Sequence, residues 1–263
     1  MQLPVGFILG CAVALLAWRL GSLSASGAMA AAVTGGLILG IGGLPWASLL
    51  LTFFISSSAL SRAFRRQKAR FHEKFSKGDR RDWAQVLANG GLGALLVIGN
   101  HLYPHPGWWV AYAGAMATVN ADTWATEIGV LSRTPPRLIT SGKVVEGGTS
   151  GGVSWLGTLA TLGGAALIGG AAVLTGGNSL SLLGIATLAG LCGSLFDSVL
   201  GATIQAIYTC PSCEKETERH PMHTCGARTE PLRGWPWLDN DRVNFFASLV
   251  GMMVALLLWY VTL

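Results

Sequence analysis

Two carboxylates and three other polar side chains interrupt an apolar stretch at Asn120-Ala-Asp122-Thr123-Trp-Ala-Thr126-Glu127-Ile-Gly129. At about 100° per residue, Asn120, Thr123 and Glu127 form one helical stripe, and Asp122 and Thr126 form its neighbour. A second such stretch, Ser194-Leu-Phe-Asp197-Ser198-Val-Leu-Gly201-Ala-Thr203-Ile-Gln205, aligns Ser194, Asp197, Gly201 and Gln205. Asp239-Asn240-Asp241 is a third acidic point. Carboxylates on separate segments are what Mg²⁺ requires, because this hard cation takes oxygen ligands and bridges one or two carboxylates to substrate phosphates. Asp122, Glu127 and Asp197 are the candidate catalytic acids and Mg²⁺ ligands, with Asp239 and Asp241 as further ligands. The plain alternatives are carboxylates that only fix helix packing, and an Asp239 that only caps a helix.

The segment Ser141-Gly-Lys143-Val-Val-Glu146-Gly147-Gly148-Thr149-Ser150-Gly151-Gly152 adds a glycine-rich loop. Its glycines let backbone N–H groups converge on an anion, its hydroxyls add donors, and Thr149 or Ser150 would cap the following helix so that its positive end faces that anion. Lys143, Gly147, Gly148, Thr149, Ser150 and Gly151 are therefore candidate phosphate ligands. The spacing is not that of a Walker A loop, and a plain flexible loop is the alternative. Asp82, Gln85 and Asn89 share a stripe that enters the membrane beside Arg80 and Arg81, which makes Asn89 and Arg81 candidates for the same site. Interface anchoring is the other use for the two arginines.

Cys210, Cys213, His220, His223 and Cys225 fall in one polar loop. In a reducing compartment a disulfide is disfavoured, whereas three thiolates and an imidazole satisfy tetrahedral Zn²⁺. Cys210, Cys213, His223 and Cys225 are the preferred ligands, with His220 as the competing imidazole and metal-free thiols as the alternative. A site filled by four protein ligands would be a structural clip. Cys11 and Cys192 read as small core residues.

These groups need elements to position them. The chain has 263 residues, 51% hydrophobic, 12% charged, with 36 glycines, too few charges to cover a water-soluble domain. Segments near the 20 apolar residues that a span requires recur at 4–20, 27–44, 46–61, 84–102, 107–129, 152–175, 179–208 and 243–262. The expected fold is all-α: a single polytopic transmembrane bundle over residues 1–263 with about seven or eight spans. The second and third segments, joined by Gly42-Gly43-Leu44-Pro45, could instead be one hairpin that does not fully cross. Ser24-Ala-Ser-Gly27 echoes Thr149-Ser-Gly-Gly152, as internal repeats do, although small residues are also ordinary packing material in lipid.

Three loops stand out: a basic one at 62–83, the glycine-rich one at 132–152, and one at 210–241 with four prolines. Arg62 to Arg81 carries nine of the 18 Lys and Arg. The excess of basic residues in cytoplasmic loops places all three loops inside, while the turns around Pro45, His101 to Gly107 and Gly176 to Ser179 hold no Lys, Arg, Asp or Glu. The basic run reads as a topology signal lying on anionic headgroups, with direct contact to a phosphorylated substrate as the other use. No nucleic-acid-binding motif accompanies it.

Asn89-Gly-Gly91, Asn120 to Glu127, Gly147-Gly-Thr-Ser-Gly-Gly-Val153, Asp197-Ser198 with Gly201-Ala-Thr203, and Leu238-Asp-Asn-Asp241 with Val243-Asn244 resemble the integral-membrane family that contains plant phytyl-phosphate kinase and an animal transmembrane protein of unknown role. The resemblance runs from about Ser22 to the C-terminus and leaves the Cys210 to Cys225 cluster outside it. It implies transfer of a phosphoryl group from a nucleoside triphosphate, CTP by distant similarity to dolichol kinase and CDP-diacylglycerol synthase, to an isoprenyl monophosphate such as phytyl or geranylgeranyl phosphate. The expected partners are thus a membrane lipid phosphate and a nucleoside triphosphate, with a homodimer as a further candidate and the inner membrane as the location. A cytidylyltransferase making a CDP-lipid is the second reading. A carrier of isoprenyl phosphates or cations is the third, and it predicts ionisable groups along the whole path, which the outer half lacks.

Overall fold

The computed structural model describes residues 3–78, 80–176 and 179–262. Among them the protein is mostly helical: α1 (Leu3–Arg19), α2 (Ala25–Ala63), the single turn α3 (Arg65–Lys68), α4 (Trp83–Leu102), α5 (Gly107–Gly129), α6 (Trp155–Gly176), α7 (Leu180–Thr203) and α8 (Asn240–Thr262). Four of them, α2, α6, α7 and α8, are long and apolar enough to cross a membrane. The turn expected around Gly176 to Ser179 includes Gly177 and Asn178, which lie outside the described residues.

A straight helix of 39 residues would extend about 58 Å, twice a bilayer core. Instead α2 folds back on itself at Gly43, whose φ of 75° and ψ of −166° lie where a Cβ is strongly disfavoured. The reversal brings both of its ends to Arg81: Ser24 N donates to the Arg81 carbonyl (3.0 Å) and the Arg81 guanidinium donates to Ser57 and Ser58 Oγ (3.0 and 2.9 Å). The segments 27–44 and 46–61 are therefore the two arms of a hairpin.

At the centre lies α5, buried almost continuously from Val110 to Ala121 and packed on α2, α4, α6, α7 and α8. Its Ala- and Gly-rich sequence permits this, since small residues let helices approach closely in lipid. A Cβ at Gly190 of α7 would collide with α6 at Ala165, one at Gly193 with α5 at Thr118, and one at Gly114 of α5 with α8 at Ala255.

The connections segregate by chemistry. At one end Tyr112 donates to the Trp46 carbonyl (2.8 Å), and Trp46 packs on Trp109 and Tyr112. The other end gathers the three charged loops. There β1 (Arg137–Leu138) pairs antiparallel with β2 (Gly152–Val153), and a three-stranded sheet orders β3 (Ile207–Cys210) between β4 (Lys215–Thr217) and β5 (Glu230–Arg233). The expected span 179–208 ends early for this reason: α7 stops at Thr203, and Ile207 onward is strand.

Candidate functional site

At the charged end a cavity of about 530 Å³ is walled by α4, α5, α6 and α7 and roofed by the 62–83 and glycine-rich loops. Asp122 and Glu127 reach it from α5, and Asp197 and Ser194 from α7. Asp122, Asp197 and Glu218 line this one cavity. Among the described residues, Asp197 Oδ2 and Glu127 Oε2 are buried without a hydrogen-bond partner. Carboxylates crowded together with unsatisfied oxygens are costly unless a cation joins them, and oxygen donors of this kind fit Mg²⁺.

Glu127 is only partly available. It is 3% exposed, and its Oε1 accepts from Lys68 Nζ at 2.6 Å and from Ser61 Oγ at 2.7 Å, so Oε2 alone is open to another ligand. Asn120 contributes to packing below the cavity: its Nδ2 donates to the Gly164 carbonyl (2.7 Å) and its Oδ1 accepts from Ser56 (3.0 Å).

The glycine-rich loop takes its shape from tight approaches. Gly148 and Gly151 have φ of 78° and 80°, and a Cβ on Gly151 would collide with the backbone of Ala202. Gly147, Gly148, Thr149, Ser150 and Gly151 all line the cavity. Ser150 donates to Gln205 Oε1 (2.9 Å), tying the loop to the end of α7. The helix cap falls one turn later than expected. It is Ser154, not Thr149 or Ser150, that accepts from Gly157 N (3.1 Å), yet Ser154, Gly157 and Thr158 face the cavity, so the positive end of α6 still points into it.

Three expected residues lie elsewhere. Lys143 sits on an exposed turn closed by Leu138 N and the Lys143 carbonyl (2.8 Å), because the β1–β2 pairing projects that turn away from the cavity. Asp239 is exposed, accepting from Arg242 N (3.1 Å) and pairing with the Arg242 side chain (2.7 Å), so it caps α8. Asp241 forms an ion pair with Lys77, which also binds Asp82 at 2.8 Å. Burial opposes the charge on Lys77, but these two carboxylates outweigh it and hold its pKa above the ordinary lysine value.

Other lining groups come from the basic loop, which reads in sequence as a topology signal with substrate contact as its other use, and of whose cations Arg81 alone is a named site candidate. Lys68, Lys77 and Arg81 reach the cavity, as does Arg133. Lys74, 7% exposed, bonds Glu146 (2.7 Å) and Thr149 (3.2 Å) and so clamps the glycine-rich loop. Glu218, which no pattern singled out, enters from beyond β4. It accepts from Gln205 Nε2 (2.9 Å) and, more weakly, Ser76 N (3.4 Å), while burial raises its pKa above the ordinary carboxylate value.

A second cavity, of about 110 Å³, lies between α1, α2 and α4 and is lined mainly by Leu, Ala, Val and Phe. Arg81, Gln85 and Asn89 line both cavities. The Arg81 guanidinium meets two serine hydroxyls and the faces of Phe53 and Phe54. Among the described residues it has no carboxylate at ion-pair distance. A cation thus stands where an apolar chamber meets a polar one, a setting that favours an anionic headgroup.

In the segment that carries β3 and β4, Cys210 Sγ and Cys225 Sγ lie 3.5 Å apart, and His223 Nδ1 lies 3.2 Å from Cys225 Sγ and 3.7 Å from Cys213 Sγ. His220 is turned away, stacked on Tyr208.

The profile of the family described as Integral membrane protein DUF92 matches residues 8–252. Protein PGR of Arabidopsis thaliana is 34% identical over 95% of this chain and 93% of its own. An uncharacterised membrane protein of Methanocaldococcus jannaschii is 31% identical over 98% of this chain and 95% of its own, and one of Synechocystis is 30% identical over 82% and 77%. No solved structure matches.

Proposed function

This chain belongs to the DUF92 family of integral membrane proteins, and we propose that it is a phosphotransferase that converts an isoprenyl monophosphate of the membrane into its diphosphate, with a nucleoside triphosphate, CTP by the resemblance above, as donor. The observation that carries this reading is the wall formed by Arg81, Gln85 and Asn89, which lines both an apolar chamber and a cavity holding carboxylates and a glycine-rich loop. The lipid phosphate would sit at Arg81 and Asn89 with the first part of its chain in the apolar chamber and the rest in lipid. The glycine-rich loop, the start of α6, and Lys68 would hold the triphosphate.

Asp122, Asp197 and Glu218, with the free oxygen of Glu127, would hold Mg²⁺, which when bound supplies charge neutralisation to the phosphates. Phosphoryl transfer asks a protein mainly for positioning and electrostatics. An oxygen of the lipid phosphate bonds the γ-phosphorus, the bond from that phosphorus to the β–γ bridging oxygen breaks, and the nucleoside diphosphate leaves with the electron pair. The nucleophile is already anionic, so no strong general base is required. In this reading the charged end faces the cytoplasm at the inner membrane, where nucleotide is available.

The test is incubation of detergent-purified protein with Mg²⁺, each of the four common nucleoside triphosphates, and phytyl or geranylgeranyl monophosphate. Lipid diphosphate and nucleoside diphosphate are the expected products, and both are lost in Asp122→Ala. Pyrophosphate with a CDP-lipid would establish the cytidylyltransferase instead, and no product with any nucleotide would overturn both.

A further inference from the structure

The Cys210 to Cys225 segment is built from two tight turns, each supplying two ligands. Cys210-Pro-Ser-Cys213 closes with Glu214 N donating to the Cys210 carbonyl (2.8 Å) and Glu214 in the left-handed region (φ 54°). His223-Thr-Cys225 closes with Gly226 N on the His223 carbonyl (3.0 Å) and His223 N on the Ala227 carbonyl (2.9 Å). All four ligand atoms lie within 4.8 Å of one another. Zn–S and Zn–N bonds in a tetrahedral site imply ligand separations of about 3.5–3.8 Å, close to the 3.5 and 3.7 Å found for two of the pairs. His223 is 4% exposed; among the described residues its Nδ1 meets only sulfur and its Nε2 has no partner. A buried imidazole with no oxygen partner is poorly satisfied unless a metal takes it.

The sheet that carries these turns is short, with strands of three or four residues. A unit of this size needs a staple. It also grips the basic loop: Thr217 Oγ1 donates to the Glu73 carbonyl (2.6 Å), Glu218 N to the Lys74 carbonyl (2.9 Å), and Lys215 pairs with Glu73 (2.9 Å). Lys74 lies between these bonds and those it makes to Glu146 and Thr149.

We propose that Cys210, Cys213, His223 and Cys225 bind one Zn²⁺, and that this clip holds the Glu73 to Ser76 segment so that Lys74 fixes the glycine-rich loop and Glu218 faces the cavity. The ion is structural, since its four positions are filled by protein, and Glu218 and Lys74 are positioned by it. The proposal does not depend on which reaction the cavity performs.

The experiment begins with metal analysis of full-length protein in detergent after removal of any affinity tag. One zinc per chain is expected, falling below a tenth of that in Cys213→Ser and Cys225→Ser and unchanged in His220→Ala. Iron in place of zinc, no metal, or a Cys210–Cys225 disulfide found by mass spectrometry would each overturn the assignment. Hydrogen exchange then reads the coupling. Release of the metal with a mercurial should speed exchange of amides in 71–78 and 146–152 at least tenfold while leaving α5 unchanged, and thiol followed by Zn²⁺ should restore it. Thr217→Val, which keeps all four ligands, should retain zinc yet loosen 71–78. Metal release that leaves exchange in both loops unaltered would refute the clip.

Discussion

Replacing Lys68 by alanine should destabilise the protein by about 3 kcal/mol, and the site explains why. Lys68 Nζ lies 2.6 Å from Glu127 Oε1, with side chains 22% and 4% exposed. At an effective dielectric of 20, charges that close attract by about 6 kcal/mol before desolvation is counted. Removing one partner of a buried pair costs roughly 3–5 kcal/mol, chiefly because the other charge is stranded. The lower part of that range applies here, since the lysine is about a fifth exposed and Ser61 continues to donate to the carboxylate. Glu127→Gln should cost only about 1 kcal/mol, because Lys68 can reach water and the amide oxygen still accepts from Ser61. In the double variant no charge is stranded, so its cost should be about 1.5 kcal/mol, giving a coupling near 2.5 kcal/mol. Equilibrium unfolding in mixed micelles of detergent and denaturing surfactant measures all four corners of the cycle. Costs that simply add, or a Lys68→Ala protein within about 0.5 kcal/mol of the parent, would refute a buried and mutually dependent pair.

Two further outcomes follow from the cavity. Asp197→Asn removes a crowded negative charge whose Oδ2 has no partner, so without divalent cations it should unfold at a temperature equal to or above that of the parent, while losing both Mg²⁺-dependent stabilisation and activity; a variant still stabilised by Mg²⁺ would remove Asp197 from the ligand set. Because burial raises the Glu218 pKa, this group binds more protons folded than unfolded and subtracts stability once pH rises above its unfolded value. Cation binding must expel that proton, so Mg²⁺ affinity should rise with pH through the Glu218 titration, and Glu218→Gln should flatten the dependence in calorimetric titrations.

The helices were legible because apolar length is a strong signal in a membrane chain: the α5 expectation of 107–129 coincides with Gly107–Gly129. The acids Asp122, Glu127 and Asp197 were legible for the converse reason, as polar groups in apolar stretches have few structural uses. Lys68 and Lys77 were not, because in a run of nine cations composition identifies the loop but cannot tell which side chains turn inward. Their selection depends on α3 and the following 3₁₀ turn at Ala69–Phe71, which curl the loop back over the cavity. Glu218 was invisible for a related reason: its position follows from strand pairing, Tyr208 opposite Thr217, and from the contact of that sheet with Glu73 and Lys74. Lys143 shows the opposite failure, a suitable residue beside a suitable loop that a two-residue β pairing directs away.

Packing beneath the cavity weighs against the carrier reading. On α5 the cavity lining stops at Asp122, and below it the Asn120 amide is occupied by Gly164 and Ser56. From Ala121 back to Val110 the central helix is buried against neighbours so close that single methyl groups would collide. At the far end Trp46, Trp109 and Tyr112 pack together. A phosphate moving through that region would have to shed its water without compensating donors, at a cost of tens of kcal/mol for an unpaired ion. Alternating access overcomes such a barrier by parting two halves of a fold around a central site, yet here α5 packs on five other helices and the acids lie at one end. Chemistry at a membrane surface needs only one open side. Under the proposed reaction it needs water-soluble and lipid reactants to arrive from different directions at the same point, and Arg81, Gln85 and Asn89, which line both cavities, are where they would meet.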